Sequence, residues 1–390
     1  MDGFRLARRG DVARIFVVTV ALMLLIAAAA LLAGSGPAAA ARHATATQSI
    51  LTLRTSGAHD AVWLVPPDGG AATAAGTLPG VAASVAVSPD GTTVAYLPYD
   101  ARPEVWVAHG ALAPKTVSLR SAGIKTVGSM TWTAASTLLV SGSKKAKDYN
   151  GYANGLYTVD VATGKVEPFR GLSGAEPSAD VTTGKLVYVH FKKLDNGSAK
   201  NDHTPKYRES LMLTSVSGSG AGRTLGSWDY RALAAGRAFS HPQLAPGGRW
   251  IIAGQTGSDV RVTYNVYYVE DDYWETWITM LQPTPQAAAW APDGGRVTFA
   301  GSTVGPGDSL ACVYVADVAA GALARTPADL LSAVSLFWVL DLAWSDDGRL
   351  VADALDSGSA TQDQRVLLLD AGDLSKLKDL GPGHLSVWVK

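Results

Sequence analysis

The sequence predicts an all-β chain folded as a β-propeller. Three observations carry this: a repeated strand–turn–strand template, a second strand pair after each copy of it, and two termini that complete one another. The template is a short apolar stretch, a Pro-Asp-Gly-type turn and another apolar stretch. It reads SVAVSPDGTTVAYL (84–97), SMTWTAASTLLVSG (129–142), PSADVTTGKLVYVHF (177–191), HPQLAPGGRWIIAG (241–254), AAAWAPDGGRVTFAG (287–301) and LAWSDDGRLVADAL (342–355). Asp-Gly and Gly-Gly between apolar runs mark hairpins, because glycine supplies the positive φ that such turns require. Trp132, Trp290 and Trp344 hold one place in their repeats, where Val87 and Leu244 stand in others.

The second strand pairs begin EVWVAHG (104–110), GLYTVDVATG (155–164), SLMLTSVSG (210–218), NVYYVEDD (265–272), CVYVADVAAG (312–321) and RVLLLDAG (365–372). Four strands in a unit of about 40–50 residues is the pattern of a propeller blade. At the N-terminal end, 49–57 and 61–70 look like strands two and three of a blade that lacks its first. At the other end, SVWVK (386–390) places Trp388 where the repeat has Trp344 or Trp290. Residues 385–390 are therefore expected to serve as the inner strand of the blade begun at 49, which leaves the ring no free sheet edge. The count is seven blades; a miscounted weak blade would make it six or eight.

Ahead of the propeller, 1–14 carry Arg5, Arg8, Arg9 and Arg14 against two aspartates. The uncharged run 15–33 follows, then Pro37 and the alanine cluster 38–41. A basic start, an apolar stretch and an Ala-x-Ala site describe a secretory signal, yet nineteen apolar residues are also long enough to span a bilayer. Residues 1–41 are thus either a cleaved signal peptide or an N-terminal transmembrane anchor, and 42–48 are a short linker. In either case the domain 49–390 lies outside the cytoplasm, secreted or anchored to the cytoplasmic membrane by 15–33. The net charge of −1 argues against nucleic-acid binding, and the membrane is reached only through the N-terminal segment. A single cysteine, Cys312, rules out an intramolecular disulfide framework and a cysteine-based zinc site.

The turns Ser-Pro-Asp-Gly (88–91), Ala-Pro-Asp-Gly (291–294) and Ser-Asp-Asp-Gly (345–348) resemble the Pro-Asp-type, WD-repeat-like repeats of TolB-like propellers. That resemblance covers nearly all of 49–390 and implies an exported bacterial propeller. It is specific for fold and nearly silent on activity. The chain departs from TolB in showing no separate α/β segment before the propeller.

Function on a propeller is expected in its loops. In blades 3 and 4 the loops between strands two and three, Ser143–Asn154 and Lys192–Glu209, are long and basic. They hold Lys144, Lys145, Lys147, Lys192, Lys193, Lys200 and Lys206, half of the chain's lysines, with Tyr149, Tyr152, His203, Tyr207 and Arg208. This is the candidate face for an envelope protein or an anionic polymer; the plainer alternative is a solvated loop that aids solubility.

Catalytic motifs are scarce. Gly307-Asp308-Ser309-Leu310 resembles an esterase nucleophile block but has no downstream Asp-x-x-His, and no Gly-x-Ser-x-Gly elbow occurs. The histidines show no His-x-x-x-His pair, and YNVYYVEDDYWETW (264–277) reads as packing aromatics around a polar turn. No cofactor is expected. The sequence therefore points to a binding or protein-interaction module of the cell envelope. The rival is a lactonase- or lyase-like propeller enzyme with a metal in its central channel.

Overall fold

A computed structural model describes residues 48–110, 114–144, 155–194, 206–218, 222–231, 239–256, 261–281, 288–303, 311–327, 336–356 and 364–390. Apart from one 3-10 turn at Arg120–Ala122, its regular elements are antiparallel strands.

Each blade runs from an inner strand to an outer one. Blade 2 is Ala82–Val87, Thr93–Pro98, Glu104–His109 and Lys115–Ser118; blade 3 is Thr126–Ala134, Thr137–Ser143, Gly155–Asp160 and Val166–Pro168. Blade 4 is Ala175–Asp180, Lys185–Lys193, Lys206–Ser215 and Arg223–Arg231, and blade 5 is Ser240–Leu244, Trp250–Thr256, Arg261–Tyr268 and Tyr273–Leu281. Blade 6 is Ala288–Trp290, Arg296–Thr303, Ala311–Asp317 and Ala322–Arg325; blade 7 is Leu336–Trp344, Arg349–Asp356, Gln364–Asp370 and Asp373–Pro382. The remaining sheet takes its inner strand, His384–Val389, from the C-terminus and its others, Ser49–Ser56, His59–Val65 and Thr73–Thr77, from the N-terminal side. Trp388 lies opposite Ile50 and Val387 opposite Leu51. The chain is a seven-bladed β-propeller.

Alternation along each strand sends every second side chain into the gap between two blades, so the core is divided by seam. Val105, Leu119, Trp132 and Leu138 fill the gap between blades 2 and 3, and Val351, Val366, Ile50 and Trp388 that between blades 7 and 1. The lone cysteine, Cys312, is buried beside Phe299 and Tyr314 and packs as a small hydrophobe.

Two kinds of polar stitch cross these seams. The indole N–H of Trp132 donates to the carbonyl of Ala86 (3.1 Å), Trp290 to Gln243 (3.0 Å), Trp344 to Ala289 (3.0 Å) and Trp388 to Ala343 (3.3 Å). Each acceptor sits on the preceding blade's inner strand. In blades 4 and 5, which have no tryptophan there, the backbone N–H donates instead to a hydroxyl on that strand, Ala179 to Thr131 (3.3 Å) and Leu244 to Ser178 (3.1 Å). The repeated tryptophans are thus explained by what they reach.

The Pro-Asp-Gly motifs close the hairpins between inner and second strands. Gly294 has φ of 69°, and a Cβ there would come within 2.2 Å of the carbonyl oxygen of Pro246 in blade 5. Turn conformation and blade spacing both demand glycine at this place. Glu270, Asp271 and Asp272 form the turn between the third and outer strands of blade 5, with Tyr264 and Tyr267 buried beneath it.

Candidate functional site

The alternation of strand direction brings the ends of second and outer strands, and the starts of inner and third strands, to one rim of the ring. Lys144 of blade 3 and Lys192, Lys193 and Lys206 of blade 4 belong to that rim. Lys144 follows the second strand of blade 3 and is exposed. In blade 4 the expected loop is shorter than the sequence implied, because the second strand continues through Lys193 and the third begins at Lys206. Ladder pairing sets Lys192 opposite Arg208, Lys193 opposite Tyr207 and Lys206 opposite Arg231. Continuous pairing satisfies backbone groups that a loop would leave to water, so a tapering ribbon replaces the loop's two arms.

Charge on this ribbon is uneven. Arg208 is held by Asp229 through two parallel hydrogen bonds of 2.7 and 3.1 Å, which neutralises it and fastens the outer strand. Lys192 and Lys193 are exposed and, like Lys144, make no ion pair with any described residue. Tyr207 is half-buried; Trp228, 51% exposed, stands on the outer strand opposite Glu209. Sequence reading missed Trp228; its signal was a large aromatic in the polar run GSWDYR (226–231). Lys145, Lys147, Tyr149, Tyr152, Lys200 and His203 lie outside the described residues, as does the block 307–310.

A second polar cluster, also missed, occupies the closure seam. Asp60, fully buried at the start of the third strand of blade 1, accepts hydrogen bonds from the backbone N–H of Ala82 (2.8 Å) and the hydroxyl of Thr55 (2.7 Å). His384 Nε2 lies 3.3 Å from the same carboxylate. Burial alone would raise the pKa of Asp60; the bonds from His384, Ala82 and Thr55 outweigh it and hold the carboxyl below its usual value. Thr55 also approaches His384 at Nε2 (3.2 Å). Hydroxyl and carboxylate therefore share one ring nitrogen, whereas a nucleophile relay needs them on opposite nitrogens. The trio is a clamp between the two ends of the chain.

Replacing Asp60 with alanine leaves these donors without an acceptor in a closed space. The expected cost is about 2–4 kcal/mol. Because the folded carboxyl titrates below its unfolded value, its contribution is complete above that value and disappears as pH falls through the folded one. Thermal melting of the alanine variant should accordingly show a shallower acid limb than the parent; parallel limbs would mean the clamp contributes nothing.

On the other side of the seam, Asp341 and Asp353 stand directly opposite each other on the inner and second strands of blade 7. Asp353 is 1% exposed; its Oδ2 accepts from the backbone N–H of Ser386 (2.6 Å), while its Oδ1 is buried with no hydrogen-bond partner. Removal from water, then the facing Asp353, push Asp341 up to about 7. Burial pushes Asp353 up to about 6, partly offset by Ser386 and His384. Among the described residues no group of three or more His, Cys, Asp or Glu is arranged to hold a metal ion.

No protein-family model matches the sequence. No curated protein matches it either. Solved structures similar to it include the β-propeller domain of the trilobed protease from Pyrococcus furiosus, 13% identical with a TM-score of 0.51, over 87% of this chain and 93% of that one. The oligogalacturonate lyase from Vibrio parahaemolyticus is 12% identical with a TM-score of 0.51, over 79% and 82%. TolB from Acinetobacter baumannii is 14% identical with a TM-score of 0.46, over 91% and 86%. What the first two share with this chain is the fold. At such identities nothing that those proteins bind or cleave transfers with it.

Proposed function

We propose that this chain is an extracytoplasmic propeller acting as a protein-interaction module of the bacterial cell envelope, with the basic rim of blades 3 and 4 as its partner face. The observation that carries this is the blade 4 ribbon: Lys192 and Lys193 stand exposed at its end with no ion pair to any described residue, and Trp228 stands exposed on its outer strand. Exposed cations and an exposed aromatic on one ribbon suit an acidic protein face, since interface anchors combine aromatic area with complementary charge. Export rests on the basic start, the apolar run 15–33 and the alanine cluster. Among the described residues no helix is long and apolar enough to cross a membrane, and 15–33 lie outside them. The rival metal-dependent enzyme gains no ligand set from the described residues.

The test is cross-linking of the full chain in its native envelope, followed by mass spectrometry, with a variant carrying Lys144→Ser, Lys192→Ser and Lys193→Ser. Exposed lysines contribute little to folding, so each change should alter stability by less than about 0.5 kcal/mol. A recurrent protein partner that the variant loses supports the module. A partner that the variant keeps moves the interface elsewhere, and attachment to a polysaccharide or other anionic polymer alone replaces the protein partner. A variant that unfolds would make the rim structural.

A further inference from the structure

Among the described residues, a facing pair of carboxylates occurs at the closure seam, on the inner and second strands of blade 7. Aligning the repeats on Trp132 and Trp344 places Ser129 and Ser141 of blade 3 at the positions of Asp341 and Asp353 in blade 7. Both pairs face one another across the inner and second strands, beside the same ladder irregularity. In blade 3 the two hydroxyls bond each other at 2.7 Å, and Ser129 accepts the backbone N–H of Glu176 from the next blade (3.0 Å). Hydroxyls do both jobs at once, because each is donor and acceptor. In blade 7 the next inner strand is the C-terminal one, and its Ser386 N–H is accepted by Asp353. Two ionised carboxylates cannot donate to each other, so the pair completes its bonding only when it carries a proton. The orphaned Oδ1 of Asp353 marks the bond that this proton would supply.

We propose that closure of the ring is a proton-controlled latch: Asp341 and Asp353 share a proton while the C-terminal strand is seated against blade 7, and ionisation of both loosens that strand. From blade 7, the groups bearing on the pair are the two carboxyls themselves and the backbone N–H of Leu342. From blade 1 they are Ser386 and His384, the latter itself engaged with Asp60. Arg365, on the neighbouring third strand, is committed to Asp379. Among the described residues, therefore, no lysine or arginine neutralises a doubly ionised pair.

The sign follows from linkage. Asp341 and Asp353 hold their proton above the value at which the unfolded chain releases it, so their contribution is full in acid and is lost as pH rises towards about 7. Asp60 works in the opposite sense, failing only in strong acid. Together they make the seam tightest in mildly acidic conditions and looser at neutral pH and above.

Hydrogen-exchange protection of the full chain, measured at pH 5 and pH 8, tests the latch. Protection of the 384–390 amides should fall by at least about 10-fold more than that of the Ser129–Ser141 seam. A double variant, Asp341→Ser with Asp353→Ser, installs the pair that blade 3 already uses and should remove the difference. The single change Asp341→Asn should also flatten it, and serves if the double variant does not fold. Equal loss of protection at both seams in the parent would overturn the proposal. So would a pH difference that persists in the variants.

Discussion

Deletion of residues 384–390 is expected to abolish cooperative folding of the ring or to lower its melting temperature by more than about 15 °C. The strand contributes ladder pairing to Ser49–Ser56, the buried Trp388, and the bond from the Trp388 indole to Ala343. Loss of a buried tryptophan alone costs about 3–5 kcal/mol. The deletion also removes His384 from Asp60 and Ser386 from Asp353, leaving two buried carboxylates short of donors. Beyond the strand itself, Lys390 donates its backbone N–H to Gly91 of blade 2 and pairs with Asp346 of blade 7. A few terminal residues thus hold three blades. Thermal denaturation followed by circular dichroism decides the matter, and a truncated chain melting within a few degrees of the parent would show that blade 1 stands on three strands alone.

The fold was legible because the repeat writes its geometry locally. The turn at Gly91, Gly294 and Gly348 needs positive φ, and all three adopt it. Trp132, Trp290 and Trp344 are visible as a column because each reaches the same carbonyl of the blade before it. The C-terminal strand was legible for the same reason, since Trp388 stood in that column. Blade 4 was harder: Lys192, Lys193 and Lys206 are polar residues in strands, and no local propensity distinguishes a polar ribbon from a polar loop. The closure cluster was harder still. Asp341 and Asp353 become neighbours only through cross-strand register, and Asp60 meets His384 only through ring closure. A trace was present in VADAL (351–355), where a carboxylate interrupts an apolar run that alternation alone would bury. Superposing that segment on LVSGS (139–143) would have shown an acid where the repeat tolerates a serine.

Replacement of Trp344 by alanine is expected to cost about 3–5 kcal/mol, and by phenylalanine only about 1–2 kcal/mol. The indole is buried against Ala291, Val313 and Leu350, its N–H is bonded to Ala289, and Arg296 lies over its ring at 5.0 Å. Phenylalanine keeps most of the packing and loses the bond. The two kinds of stitch then supply an independent check. In blades 4 and 5, which lack the tryptophan, the preceding inner strand offers a hydroxyl, Thr131 or Ser178; where Trp344 and Trp388 stand, it offers Ala289 and Ala343. Adding Ala289→Ser to the Trp344→Ala chain should therefore rebuild the other stitch, with the serine hydroxyl accepting the backbone N–H of residue 344. The same Ala289→Ser change in the parent chain gains nothing, because the indole already occupies the seam. Urea denaturation of the four chains forms a double-mutant cycle, and a favourable coupling of about 1 kcal/mol is the expected result. A coupling of zero would mean that tryptophan and hydroxyl are not alternative solutions to one seam, and that their exclusion of each other along this chain has another cause.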